Sequence, residues 1–259
     1  MLTEQDRDPT MLPTSRYSST VAGRGAVLIP ALNEEAVVAA VVRSSIDATE
    51  LPVWVIDDNS ADHTARIAER AGATVIRLRE RLGAWGAIQT GLREALRLDL
   101  DFVVTMDSDG QHLASDIPEL LRTLRTEKAD VVIGSCTERG SLLRKLAWRM
   151  IRLTSGLQCD DLTSGFRVLN RTAIRLLASA EASQLDFQDV GVLLILERAG
   201  CRITEHPVTM PARTNGKSRI FRSWAAVIVY MLQTLLLGAA KRRTTKPIHT
   251  DPSARLGDH

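Results

Sequence analysis

The chain has 259 residues, 44% of them hydrophobic, so it can bury a substantial core as one large domain, and wholesale disorder is excluded. Charged residues make up 25%, and 33 Lys plus Arg against 31 Asp plus Glu leave a formal charge of +2, which argues against a dedicated nucleic-acid partner. Cys136, Cys159 and Cys201 are odd in number and lack metal-ligand spacing, which fits a reducing compartment and excludes a disulfide framework.

Residues 1–20, MLTEQDRDPTMLPTSRYSST, are polar and lack the apolar core of a signal peptide, which predicts a flexible N-terminal arm on a cytoplasmic protein. Short apolar runs then alternate with longer helical patterns. GAVLIP (25–30) predicts the first strand, and Asn33, Glu34 and Glu35 open a helix that ends near Ile46. PVWVIDD (52–58) is a second strand before a helix over 63–71, and TVIRL (74–78) a third before a helix over 86–98. DFVVTMD (101–107) and DVVIGS (130–135) are the fourth and fifth, separated by a helix over 117–125.

This alternation predicts an α/β domain, a mostly parallel sheet with helices on both faces. Ligands of such sheets sit outside the carboxyl ends of the strands, where Pro30, Asp57, Asp58, Asp107 and Asp109 fall. Further on, RVLNRTAIRLL (167–177) reads as entering a helix, FQDVGVLLILERAG (187–200) contains another, and CRITEHPV (201–208) is strand-like.

Two segments have surface-seeking character. In SLLRKLAWRMIRLTSG (141–156), Leu142, Leu146, Met150 and Leu153 follow helical spacing and Arg144, Lys145, Arg149 and Arg152 form a basic side. That pattern fits a helix at a membrane interface and equally a core-facing helix with a solvated basic face. WAAVIVYMLQTLLLGAA (224–240), followed by Lys241, Arg242 and Arg243, is short for a comfortable span and carries Gln233 and Thr234. A membrane span, membrane-surface attachment, homo-oligomer contact and internal packing are all readings of it. The expected organisation is a flexible arm at 1–20, one domain at 21–219, an apolar helix at 220–240 and a flexible basic tail at 241–259, with peripheral contact at the cytoplasmic face of a membrane as an option.

Asp57 and Asp58 follow one strand, Asp107 and Asp109 another. Neighbouring strands would bring the pairs to one edge, where the carboxylates repel and a cation relieves the repulsion. Hard oxygen ligands suit Mg²⁺ or Mn²⁺, and such ions bridge a few carboxylates to substrate phosphates. Each aspartate taken alone also fits a helix cap or a polar turn.

The ordered set VLIPALNEE, VIDDNSADHT, GAWGAIQTGLREA, MDSDGQH and DLTSGFRVLNR resembles the family-2 glycosyltransferases with the GT-A fold. Within them it is similar to the branch of dolichol-phosphate mannose synthases and bacterial polyprenyl-phosphate sugar transferases, over about residues 25–219. The resemblance implies a Rossmann-like, mostly parallel sheet flanked by helices. It implies that Asp58 helps recognise the nucleotide with Asp57 nearby, and that Pro30, Asn33 and Glu34 form the first nucleotide-binding segment. Asp107 and Asp109 become the DxD that binds the sugar-nucleotide diphosphate through Mg²⁺ or Mn²⁺, with Gln111 at a position associated with metal binding. Ser164 and Arg167, then Arg213 and Lys217, match acceptor-side segments, and Arg213 would touch the acceptor phosphate or the donor diphosphate. A turn, a helix cap or a solvated basic loop is the ordinary alternative for each.

The implied reaction is inverting transfer of a single hexose from GDP- or UDP-hexose to a polyprenyl phosphate. That phosphate oxygen is already anionic near neutral pH, so its attack needs no strong base. The alternative is a soluble enzyme acting on a small hydroxylated acceptor, with Asp189 as the base. A sugar-nucleotide-binding scaffold without turnover is a third class. The chain departs from the polyprenyl branch in two places. Cys136 stands where Gly-Ser-Arg is usual, with Arg139, Arg144 and Arg149 as candidates to compensate, and Asp189 lies about one residue out of register. The Gln-x-x-Arg-Trp motif of processive synthases is absent.

Overall fold

The computed structural model describes residues 19–20, 23–136, 152, 157–184 and 190–210. Asp189, Arg213, Lys217, Arg139, Arg144, Arg149 and the apolar stretch 224–240 lie outside the described residues. The strands are β1 (Ser19–Thr20), β2 (Gly23–Ala31), β3 (Val53–Asp57), β4 (Thr74–Arg77), β5 (Phe102–Thr105), β6 (Val131–Ser135), β7 (Arg167–Asn170) and β8 (Ile203–Pro207). The helices are α1 (Val38–Thr49), α2 (Thr64–Arg70), α3 (Gly83–Arg97), α4 (Ile117–Thr126), α5 (Arg171–Leu177) and α6 (Val190–Arg198).

The sheet runs β4-β3-β2-β5-β7-β6-β8, with β1 paired antiparallel to the start of β2. The β2–β3, β2–β5, β3–β4 and β6–β8 ladders are parallel, and β7 alone runs antiparallel to its neighbours β5 and β6. The expected mostly parallel sheet is therefore present. Central strands are apolar on both faces because both are covered: Ala26, Leu28, Trp54 and Ile56 pack under α3, α5 and α6, while Val27, Ile29, Val53 and Val55 pack under α1, α2 and α4. On the first face α3 lies so close to β2 that a Cβ on Gly91 would stand 2.7 Å from the Leu28 side chain.

Two expectations need correction. RVLN (167–170) is not the start of a helix but strand β7, and Asn170 ends it by capping α5 through its side chain, which accepts the Ala173 N–H. The helix after β2 begins at Val38, since Asn33 has a φ of 52° and the Glu34 carbonyl closes a turn with the Val37 and Val38 amides. No helix among the described residues is long and apolar enough to cross a membrane.

Burial also governs two of the thiols. Desolvation, reinforced by the Glu205 charge, pushes the Cys159 thiol up to about 11, and desolvation with the Asp130 charge does the same for Cys201. A raised thiol pKa means a stability contribution that is complete below the unfolded thiol value and is lost as pH rises through about 11. Urea midpoints measured in the alkaline range should fall more steeply for the native chain than for a Cys159→Ala, Cys201→Ala variant; identical slopes would contradict the assignment.

Candidate active site

β2 continues into β3 and β4 on one side and is flanked by β5 on the other, so the strand order reverses between β2 and β5. Crevices at such switch points are where open α/β sheets bind ligands. The β2–β5 ladder ends at Leu28 and Thr105, with the Met106 amide donating to the Leu28 carbonyl, whereas β2 stays paired with β3 as far as Ala31 and Asp57. Pro30 is thus tolerated in a central strand because its β5 neighbour has already turned away. The aspartate pairs flank this crevice, Asp57–Asp58 from β3 and Asp107–Asp109 from β5. β2 stands between them, so they do not follow neighbouring strands as a shared cation site would require. Among the described residues, no group of three or more His, Cys, Asp and Glu is placed to hold a metal ion.

On the β3 side, the loops after β2 and β3 are stitched together. The Asn33 amide donates to Ser60 Oγ at 2.9 Å, the Asn33 side-chain oxygen accepts the Ala61 N–H at 2.8 Å, and the Glu34 amide donates to Thr64 Oγ1 at 2.8 Å. Asn33 and Glu34 therefore tie the loop after β2 to the loop after β3 through their turn geometry. Asp58 is 3% exposed and accepts the Leu82 and Gly83 amides at 2.7 and 3.0 Å, one on each oxygen. It braces the entry to α3, where Gly83 takes a φ of 76°. Asp57 is 5% exposed, and among the described residues its Oδ1 has no hydrogen-bond partner.

On the β5 side, DSDGQH forms a tight turn. Asp109 Oδ1 accepts the Gln111 amide at 3.0 Å across Gly110, whose φ is 76°. His112 is buried, stacks on Phe166 with ring centroids 5.0 Å apart, and takes the Asp107 amide on Nδ1 at 2.9 Å. In the neutral ring this leaves the proton on Nε2, 3.7 Å from Asp107 Oδ2. His112 thus orients the aspartate from behind, and the Asp107 side chain remains 40% exposed to the crevice. Asp107, Asp109 and Gln111 bring two carboxylates and an amide oxygen to one turn, a hard donor set of the kind that suits Mg²⁺ or Mn²⁺ with water and phosphate as the other ligands.

DLTSGFR lies beyond β5. Ser164 Oγ donates to the Gly134 carbonyl at 2.7 Å, and Thr105 Oγ1 to the Gly165 carbonyl at 2.8 Å, which joins the loop to the ends of β6 and β5. Arg167 is 4% exposed, in register with Thr105 and Ile133, and its charge acts on Cys159. Trp85 is a core residue whose Nε1 donates to the Ala182 carbonyl at 2.8 Å. Two carboxylates escaped the sequence reading. Asp161 and Glu205 hold the DLTSGFR loop, and the available signal for Glu205 was an acid within the strand ITEHP.

A doubly covered sheet whose switch-point crevice carries a DxD turn on one strand end and a DD pair on another defines a GT-A glycosyltransferase. The comparisons agree. The family model described as "Glycosyl transferase family 2" matches residues 26–176. This chain belongs to glycosyl transferase family 2. It is 32% identical over 211 residues to an undecaprenyl-phosphate mannosyltransferase of Micrococcus luteus, covering 74% of this chain and 86% of that one. It is 23% identical over 209 residues to a UDP-N-acetylglucosamine–dolichyl-phosphate N-acetylglucosaminyltransferase of Methanococcus voltae, covering 70% and 83%. Among solved structures, glucosyl-3-phosphoglycerate synthase of Mycobacterium tuberculosis, in complex with Mn²⁺, UDP-glucose and phosphoglyceric acid, superposes with a TM-score of 0.65 at 24% identity over 83% of this chain and 79% of that one.

Proposed function

We propose that the enzyme transfers a single hexose, with inversion, from a GDP- or UDP-hexose to a polyprenyl phosphate in a metal-dependent reaction. The observation that carries this reading is the likeness to the undecaprenyl-phosphate mannosyltransferase over 74% of this chain, a share that must include both the DxD turn and the DLTSGFR loop. Asp107 and Asp109, with Gln111, would hold the divalent cation, whose charge would stabilise the departing nucleoside diphosphate. Asp57 Oδ1 supports donor binding as a buried acceptor for a ribose hydroxyl, and Pro30, Asn33 and Glu34 frame the same side of the crevice. Asp58 serves the donor by bracing the Leu82–Gly83 turn.

The acceptor phosphate is an anionic nucleophile, so the protein's task is to aim it at the anomeric carbon opposite the diphosphate. Arg213 and Lys217 would do so by charge-assisted hydrogen bonds, with Ser164 and Arg167 shaping the strand ends beneath. In this reading Asp189 is not needed as a base. A lipid-borne acceptor also gives the segments 141–156 and 224–240 a purpose, peripheral attachment at the cytoplasmic face of the membrane.

The test pairs GDP- and UDP-hexoses with a polyprenyl phosphate and with hydroxylated acceptors, in Mg²⁺ or Mn²⁺, followed by product mass. A sugar phosphodiester is expected, and transfer to alcohols alone would overturn the reading in favour of Asp189 catalysis. Arg213→Ala should lower kcat/KM for the phosphate acceptor by about 10- to 100-fold, the loss of one charge-assisted contact. An unchanged rate at subsaturating acceptor would remove Arg213 from the site.

A further inference from the structure

Glu205 lies on β8, in register with Ile133 of β6. Its carboxylate spans the approach to DLTSGFR, with Oε2 accepting the Asp160 amide and Oε1 the Asp161 amide, both at 2.7 Å. The Asp161 side chain, 4% exposed, passes the constraint on. Its Oδ1 accepts the Thr163 and Ser164 amides, each at 3.1 Å, and its Oδ2 accepts the Cys136 amide at 3.2 Å. Ser164 then closes onto the Gly134 carbonyl. One relay of two carboxylates thus sets the backbone of the loop and the exit of β6, the strand end where the family's usual arginine is replaced by Cys136.

We infer that Glu205 and Asp161 are positioning residues for the acceptor side of the crevice: they hold the DLTSGFR loop and the Cys136 strand end in register without touching either substrate. The inference rests on the glycosyl-transfer reading above. The chemistry favours a positional role because each carboxylate is filled by backbone amides. Burial pushes the Glu205 carboxyl up, aided by the Asp161 charge, while the Asp161 amide, the Ser135 hydroxyl and the Arg152 charge draw it down. Two backbone donors converging on one half-buried acid are what a fixed loop needs, and an amide in its place would set its NH₂ donor against one of the two N–H groups.

The experiment compares native chain, Glu205→Gln and Glu205→Asp, reading acceptor kcat/KM by turnover and nucleotide affinity by titration with UDP or GDP and Mn²⁺. Glu205→Gln is expected to lower acceptor kcat/KM by about 100-fold, the effect of a displacement near 1 Å at a reacting pair. Nucleotide affinity should stay within about twofold, as for a site remote from the change. Glu205→Asp, which keeps both acceptor oxygens, should recover part of the loss. Equal losses of nucleotide affinity and acceptor turnover would overturn the inference, as would full activity of Glu205→Gln. Should Glu205→Gln fail to fold, hydrogen exchange on the native chain decides: the Cys136, Asp160, Asp161 and Ser164 amides must be protected, and free exchange would overturn the relay. If the native enzyme uses a hydroxylated acceptor instead, the functional reading fails, but the ratio of variant to native turnover on that acceptor still tests the positioning.

Discussion

Asp109→Ala should reduce kcat/KM by about 10³-fold, the upper end of what a single electrostatic stabiliser of a departing oxyanion contributes. The fold should survive. Its hydrogen bond to the Gln111 amide, two residues on, is a local turn contact worth about 1 kcal/mol. Neighbouring His112 and Phe166 hold the far side of the turn independently, so DSDGQH does not collapse with the aspartate. Asp109→Asn separates charge from shape, since the amide oxygen can still accept the Gln111 N–H. It should be nearly as inactive as the alanine variant under saturating Mn²⁺. Retention of most native turnover by a folded Asp109→Asn chain would remove the cation from this site.

The second large effect belongs to Asp58. Both of its oxygens accept backbone amides at the entrance to α3, and the side chain is almost wholly buried. Truncation to alanine leaves the Leu82 and Gly83 amides without their acceptor, and charged hydrogen bonds of this kind contribute roughly 1.5–3 kcal/mol each. A loss of about 3 kcal/mol in denaturant titrations is expected, together with weaker binding of nucleoside diphosphate, because the turn beside the donor crevice is released. The order of the effects is diagnostic. A brace loses stability first and affinity as a consequence; a residue that reads the base directly would lose affinity with stability intact. That second pattern would restore the direct role the family resemblance implies.

Much of this fold was legible because parallel strands covered on both faces must be apolar along most of their length, and the runs in GAVLIP, PVWVID and DFVVT are, with polar residues only at their ends. β7 was not. Its four residues pass into α5 without an intervening turn, and Arg167 at its start gives the run the look of an amphipathic helix. Trp85 in α3 is buried, but the partner of its indole N–H, the Ala182 carbonyl 97 residues away, is set only by the tertiary fold. The two aspartate pairs were found at once as strand-end carboxylates. Their separation by β2 was hidden, because strand order is not encoded in any single segment.

What the amino-acid sequence by itself determined is the material of the site: alternating strands and helices, acids at the ends of β3 and β5, and a motif set that marks the family. These follow from local rules, the burial period of each segment and the chemistry of short turns. Only the tertiary structure decided how the acids are employed. It committed Asp58 to the α3 entrance, left Asp57 Oδ1 without a partner among the described residues, backed Asp107 with His112, and linked Glu205 through Asp161 to Cys136. A carboxylate's role depends on which donors surround it, and those donors come from distant segments that meet only when the sheet is assembled.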